Sequence, residues 1–237
     1  MHGHRGRIGL IVPANNAVLE PELWSRVPPG IALYATRILA RGDLTPELVH
    51  RMEATVDRAV EELAATRVDV VAYADMVTTF IMPDGWNEAK TRSIAARAGV
   101  PSISAWTALA AALETFGIRR FALGTPYPRP IHALARPFFE RHGLAVTGDG
   151  TLHILATSEV PRVSAERVRA LVGGLDRGSA EAIVLLATDL PTFPVIEALE
   201  ADTGLPVLTS NQTLLWRALR LCGVEDRLPG LGRLLAP

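Results

Sequence analysis

A chain of 237 residues that is 49% hydrophobic and 21% charged, with a mean hydropathy of +0.22, has enough apolar material for a full core and too much for a disordered protein. Formal charges sum to −1 and the basic residues are scattered, which excludes the basic face of a nucleic-acid or anionic-membrane binder. Cys222 is the only cysteine, so no disulfide framework or cysteine-rich zinc site is available.

The first residues carry His2 and His4, expected in a frayed terminus, and run into Ile8 to Val12, too short an apolar stretch for a signal-peptide core or a membrane span. A cytoplasmic location is expected. In chain order, the pattern predicts a strand at 7–12, a helix at 16–24, a strand at 31–36 and one long helix at 45–65. That helix has Leu48, Met52, Val56, Ala59, Val60 and Leu63 at helical spacing and Pro46 in its first turn. A strand at 68–74, a helix at 86–98, a strand at 102–104 and a helix at 106–116 complete the first half. The second half reads as strands at 120–124, 145–148, 182–186 and 207–209, separated by helices at 130–142, 164–175 and 194–203 and closed by a helix at 212–222. Short apolar runs alternating with helical stretches imply βα units on a mainly parallel sheet.

The halves repeat each other. Arg7-Ile8-Gly9-Leu10-Ile11-Val12-Pro13 reads like Arg120-Phe121-Ala122-Leu123-Gly124-Thr125-Pro126, and the run from Asp69 to Asp75 like the run from Glu181 to Ala187. Gly99-Val100-Pro101-Ser102-Ile103-Ser104 reads like Gly204-Leu205-Pro206-Val207-Leu208-Thr209, each pair roughly half the chain apart. The expected fold is therefore α/β, with two pseudo-symmetric Rossmann-like lobes on mainly parallel four-stranded sheets. The first lobe would comprise 1–115 with 209–237, the second 116–208. Ligands of parallel α/β sheets bind beyond the carboxyl ends of the strands, so the site belongs in the cleft between lobes, at turns 13–16, 75–79, 125–127, 187–189 and 209–212.

At those turns the chain resembles the aspartate/glutamate racemase superfamily, in its maleate cis-trans isomerase and arylmalonate decarboxylase branch. The resemblance rests on Gly9-Leu10-Ile11-Val12-Pro13 with Asn16 and Leu19-Glu20-Pro21-Glu22, on Gly124-Thr125-Pro126-Tyr127, and on Thr188-Asp189-Leu190-Pro191-Thr192. It extends to Pro206 through Gln212 with Trp216, and to Pro229-Gly230-Leu231-Gly232-Arg233-Leu234. It implies a cofactor-free enzyme acting on a small carboxylate or dicarboxylate, and a homo-oligomer. Relatives that racemise or isomerise use a cysteine from each lobe, and the decarboxylases only the second. The resemblance places those positions at Asp75 and Ala187, with Cys222 matching neither, so the usual thiol chemistry is not expected. It also implies carboxylate binding by Asn16 and Tyr127, an oxyanion-binding segment at Met76, Val77, Thr188 and Asp189, and a contact from Thr157.

Asp75 ends a very apolar strand, where burial should raise its pKa and suit it to proton transfer; helix capping is the structural alternative. Asp189 stands as a second carboxyl, Tyr127 as a hydrogen-bond donor, and Asn16, Asn211 and Ser210 as anion ligands or helix caps. Arg129 and His132 are further candidates to neutralise a carboxylate. No phosphate-binding glycine loop follows a strand, and no histidine pair has metal-ligand spacing, so neither a nucleotide nor a metal is expected. Three activities remain: decarboxylation, isomerisation or racemisation with Asp75 as proton carrier; hydrolysis of a small amide, lactam or other C–N bond; and carboxylate binding without catalysis.

Overall fold

The computed structural model describes residues 2–236, leaving Met1 and Pro237 outside the description. Its first half runs β1 (Gly6–Pro13), α1 (Leu19–Trp24), β2 (Ile31–Ile38), α2 (Pro46–Glu53), α3 (Val56–Ala65), β3 (Val70–Tyr73), α4 (Thr78–Ile81), α5 (Trp86–Ala98), β4 (Ser102–Ser104) and α6 (Ala105–Phe116). The second half runs β5 (Arg120–Thr125), α7 (Arg129–His132), α8 (Ala135–Arg141), β6 (Ala145–Thr151), α9 (Ala165–Gly173), β7 (Ala182–Leu185), α10 (Ile196–Thr203), β8 (Val207–Thr209) and α11 (Ser210–Leu221). Short 3-10 segments lie at Thr157–Arg162 and Phe193–Val195.

Each half forms a four-stranded, wholly parallel sheet, and the strand orders β2-β1-β3-β4 and β6-β5-β7-β8 are the same permutation. The repeat seen in the sequence thus returns as topology. It also returns in the punctuation: Gly99 and Gly204 end α5 and α10 in the left-handed conformation, at φ of 71° and 73°. Ser104 and Thr209 then cap α6 and α11 through reciprocal capping boxes with Thr107 and Gln212.

The central strands β3 (VVAY) and β7 (AIVL) are buried at every residue, as parallel strands covered on both faces must be. One hydrophobic cluster runs from Leu10 and Val70 through Leu109 and Phe121 to Val184 and Leu215, so both sheets share an interior. A second cluster, including Met52, Val60, Leu63 and Tyr73, lies beneath α2 and α3. The equivalent helices α6 and α11 pack against each other, and α11 also reaches β3 and β4. No helix among the described residues is long and apolar enough to cross a membrane.

Several expected elements differ. The helix expected at 45–65 is two, α2 and α3. Between them Thr55 turns its hydroxyl back onto Met52 O (2.8 Å), a local bond that competes with the helical ladder. The helix expected at 130–142 is also two, because Pro137 has no N–H to give the carbonyl of Ala133. The helix expected from residue 16 starts at Leu19, with Asn16 Oδ1 accepting from the N–H groups of Val18 and Leu19. The chain is tied down from Arg5 onward: Arg5 N–H donates to Gly30 O (3.0 Å), and its guanidinium pairs with Asp226.

Candidate active site

The turns after β1, β3, β5 and β7 converge on a cavity between the lobes. Asp75, Met76 and Val77 enter from the first sheet, Ala187, Thr188 and Asp189 from the matching turn of the second, with Asn15, Asn16 and Tyr127 on the same wall. Leu44, Leu48, Val49, Met52, Leu155 and Val160 form an apolar collar. The mouth is bridged by segments from both halves: Leu44 N–H donates to Leu155 O (3.1 Å), and Thr157 Oγ1 donates to Gly42 O (2.8 Å).

Asp75 serves local structure and cavity together. Its Oδ1 accepts from Thr78 N–H (2.8 Å) and Thr78 Oγ1 (2.5 Å), which fixes the turn into α4, while Oδ2 takes no bond from another side chain. Burial raises its pKa from 3.8 to about 6, against the lowering effect of the Thr78 bonds, and the Glu53 charge adds to the rise. Asp189 is half-buried, and burial followed by the charge on Asp75 raises its pKa to about 7. The charge on Asp75 helps Asp189 keep a proton near neutrality. Tyr127 is 5% exposed and its hydroxyl has no hydrogen-bond partner. Burial, then Asp75 and Asp189, push its pKa well above the ordinary value, so it stays a neutral phenol able to donate.

Behind Asp75 a buried polar chain leads away from the cavity. Thr78 Oγ1 is 3.4 Å from Tyr73 Oη, which hydrogen-bonds to Glu53, and Glu53 pairs with Lys90 (2.8 Å). Across the cleft, Asn16 Nδ2 donates to Thr188 Oγ1 (3.1 Å), which in turn donates to Ala74 O (3.0 Å). The two lobes are thereby locked together at the cavity floor. Ala187 holds a φ of 87°, in the left-handed region costly for a residue with a Cβ, and this bend turns Thr188 and Asp189 toward the cleft.

Asp75, Tyr127, Asp189, Asn16, Met76, Val77, Thr157 and Thr188 all meet at the cavity wall. Asn211 does not. It lies behind the wall, donating to Thr188 O (3.0 Å) and Glu22 Oε2 (2.7 Å), because the capping box that starts α11 turns it into the lobe interface. Ser210 is likewise buried off the wall. Arg129 and His132 line a separate surface groove, where His132 bridges Thr125 Oγ1 (2.9 Å) and Asp149 (2.8 Å). Cys222 also stands apart, beside Gly6 at the start of β1, whereas Pro13 at the end of that strand lines the cavity, roughly 23 Å away at strand rise. Asn15, whose buried Oδ1 lacks a partner, was expected only as part of the 13–16 turn, and sequence reasoning gave no role to Glu22, which accepts from Thr192 N–H (2.7 Å), Phe193 N–H (2.8 Å) and Asn211. Thr78 likewise fell within the 75–79 turn without a role of its own, although a hydroxyl three residues after an aspartate is a recognisable capping signal.

The fold is shared with known proteins. Residues 8–235 match the arylmalonate decarboxylase family. A maleate isomerase of Geobacillus stearothermophilus is 30% identical over 97% of each chain, and an arylmalonate decarboxylase of Bordetella bronchiseptica is 30% identical over 96% of this chain and 95% of its own. Among solved structures, a cysteine-to-serine variant of Nocardia farcinica maleate cis-trans isomerase, with a covalently bound succinylcysteine intermediate, has a TM-score of 0.91 at 30% identity. The alignment covers 97% of this chain and 98% of that one. With duplicated sheets, an interlobe cavity and a match of this extent, the chain belongs to the arylmalonate decarboxylase family and is an enzyme of the isomerase or lyase kind.

Proposed function

We propose that this protein is a cofactor-independent enzyme that moves a proton to or from a carbon beside a carboxylate, in a decarboxylation, isomerisation or racemisation, with Asp75 acting where its relatives use a cysteine. The observation that carries this reading is Asp75 itself: one oxygen is held by Thr78, the side chain stands in the cavity, and its pKa is about 6. No cysteine lines that cavity among the described residues.

As a base, Asp75 takes the proton from the carbon next to the substrate carboxylate, and the electron pair left behind moves into the carboxyl group as an enediolate. The Tyr127 hydroxyl and the second N–H of the Asn16 amide donate to its oxygens. As an acid, Asp75 or the protonated Asp189 returns a proton to that carbon. Return from the other face gives racemisation. If CO2 leaves in place of the first proton, the same return completes a decarboxylation.

Incubation in deuterated water with α-substituted carboxylates and malonates tests this. Deuterium should appear at the carbon, and Asp75→Asn should lower the rate about 10²- to 10⁴-fold, the usual contribution of a positioned acid or base. Undiminished turnover by Asp75→Asn would defeat the assignment. Two carboxyls of different proton affinity in one cavity also favour water activation, so hydrolysis of a small C–N bond is the second reading. Its signature is release of amine or acid with no deuterium at carbon.

A further inference from the structure

Resting on that reading of the cavity and narrowing it, we propose that the ligand is a small amino-carboxylate: a head with a protonated nitrogen beside its carboxylate, on an apolar body, rather than a dicarboxylate. The ionisable side chains on the wall are Asp75 and Asp189, both acidic, and among the described residues no arginine, lysine or histidine lines it. Arg37 approaches the 13–16 turn, but it is spent on Asn16 O (2.7 Å) and on the Glu20 carboxylate. Glu53 adds a negative charge behind Asp75, and Lys90 answers it from the far side. A dicarboxylate would bring two more negative charges into this low-dielectric space with no cation to receive them.

The hydrogen-bond inventory points the same way. Asp75 Oδ2 and the Asp189 carboxylate accept nothing from other side chains, and Asn15 Oδ1 is buried without a donor. Three acceptor groups thus stand ready for an ammonium, which carries three N–H donors. The free donors are fewer: the unpartnered hydroxyl of Tyr127 and the Asn16 N–H not used by Thr188, a set that suits one carboxylate. Leu44, Leu48, Val49, Met52 and Leu155 would surround the body.

Four probes sharing one isobutyl body separate the contributions: leucine carries both groups, 4-methylpentanoate only the carboxylate, isoamylamine only the ammonium, and isobutylmalonate two carboxylates. Calorimetric titration at pH 8, above the pKa values of Asp75 and Asp189, should rank leucine first, at least roughly tenfold tighter than 4-methylpentanoate, with isobutylmalonate weakest. At pH 5, with both carboxyls protonated, the gap between leucine and 4-methylpentanoate should close. Asp189→Asn, which alters no hydrogen bond between residues, should narrow it at pH 8. Isobutylmalonate binding as tightly as leucine at pH 8, no binding of leucine at millimolar concentration, or an undiminished leucine preference in Asp189→Asn would each overturn the proposal. Deuterium exchange into a dicarboxylate with no leucine preference would sink this inference alone, whereas leucine binding with full turnover by Asp75→Asn would sink the proton-transfer reading alone.

Discussion

At the scale of single residues, Asp75 divides its oxygens between two tasks. Capping and catalysis, which appear as rival explanations when only the sequence is read, are compatible because Thr78 occupies one oxygen and leaves the other. Glu53 raises the Asp75 pKa, so Glu53→Gln should lower it and move the acid limb of the pH–rate profile to lower pH, measured as kcat/KM against pH. Tyr127→Phe removes a hydroxyl that bonds no other residue, so stability should change by less than about 0.5 kcal/mol in urea unfolding while kcat falls. Ala187→Gly should relieve the left-handed bend and stabilise by about 1 kcal/mol, the strain outweighing the entropy glycine adds to the unfolded chain. Asp75, Asn16 and Tyr127 were legible because each follows an apolar strand. Glu22 was not: its partners Thr192, Phe193 and Asn211 lie about 170 to 190 residues away, and only folding discloses them.

At the scale of elements, the duplicated strands and the glycine-to-hydroxyl punctuation around β4 and β8 could be read directly, since alternation, left-handed glycine and capping are local properties. The breaks at Thr55 and near Pro137 were hidden by apolar periodicity that continues across each interruption. α1 is the strut between lobes. From its first turn Glu22 reaches the turn before α10 and the start of α11, while Asn16 accepts from Leu19 N–H at its start and donates to Thr188. Glu22→Ala would leave two backbone N–H groups and one of the two N–H donors of the Asn211 amide without an acceptor in the interior, and should cost roughly 3 kcal/mol or more in denaturant unfolding. Glu22→Gln keeps one acceptor oxygen and should cost less.

For the whole molecule, the raised carboxyls set how stability varies with pH. A carboxyl whose folded pKa exceeds its unfolded one stabilises the fold fully below the unfolded value and loses that contribution as pH rises through the folded value. Asp75 and Asp189, moving from 3.8 to about 6 and about 7, therefore predict a protein more stable at pH 5 than at pH 8, by at least about 1 kcal/mol. Glu22, raised by burial, acts in the same direction. Below pH 4 the trend should reverse, as Glu62, Glu181 and Asp226, whose pKa values are lowered by their bonds, become protonated. Denaturation curves across this range check both limbs, and Asp189→Asn should flatten the upper one.

The common interior of the two sheets carries a further consequence, for how the molecule comes apart. Because α6 and α11 shield each other, neither repeat can melt without stripping cover from its twin, so heat should dissolve the pair in one transition rather than two. If the backbone were severed in the turn at 117–119, the fragments should remain a heterodimer, and each expressed alone should aggregate through the helix face it had lost the means to hide.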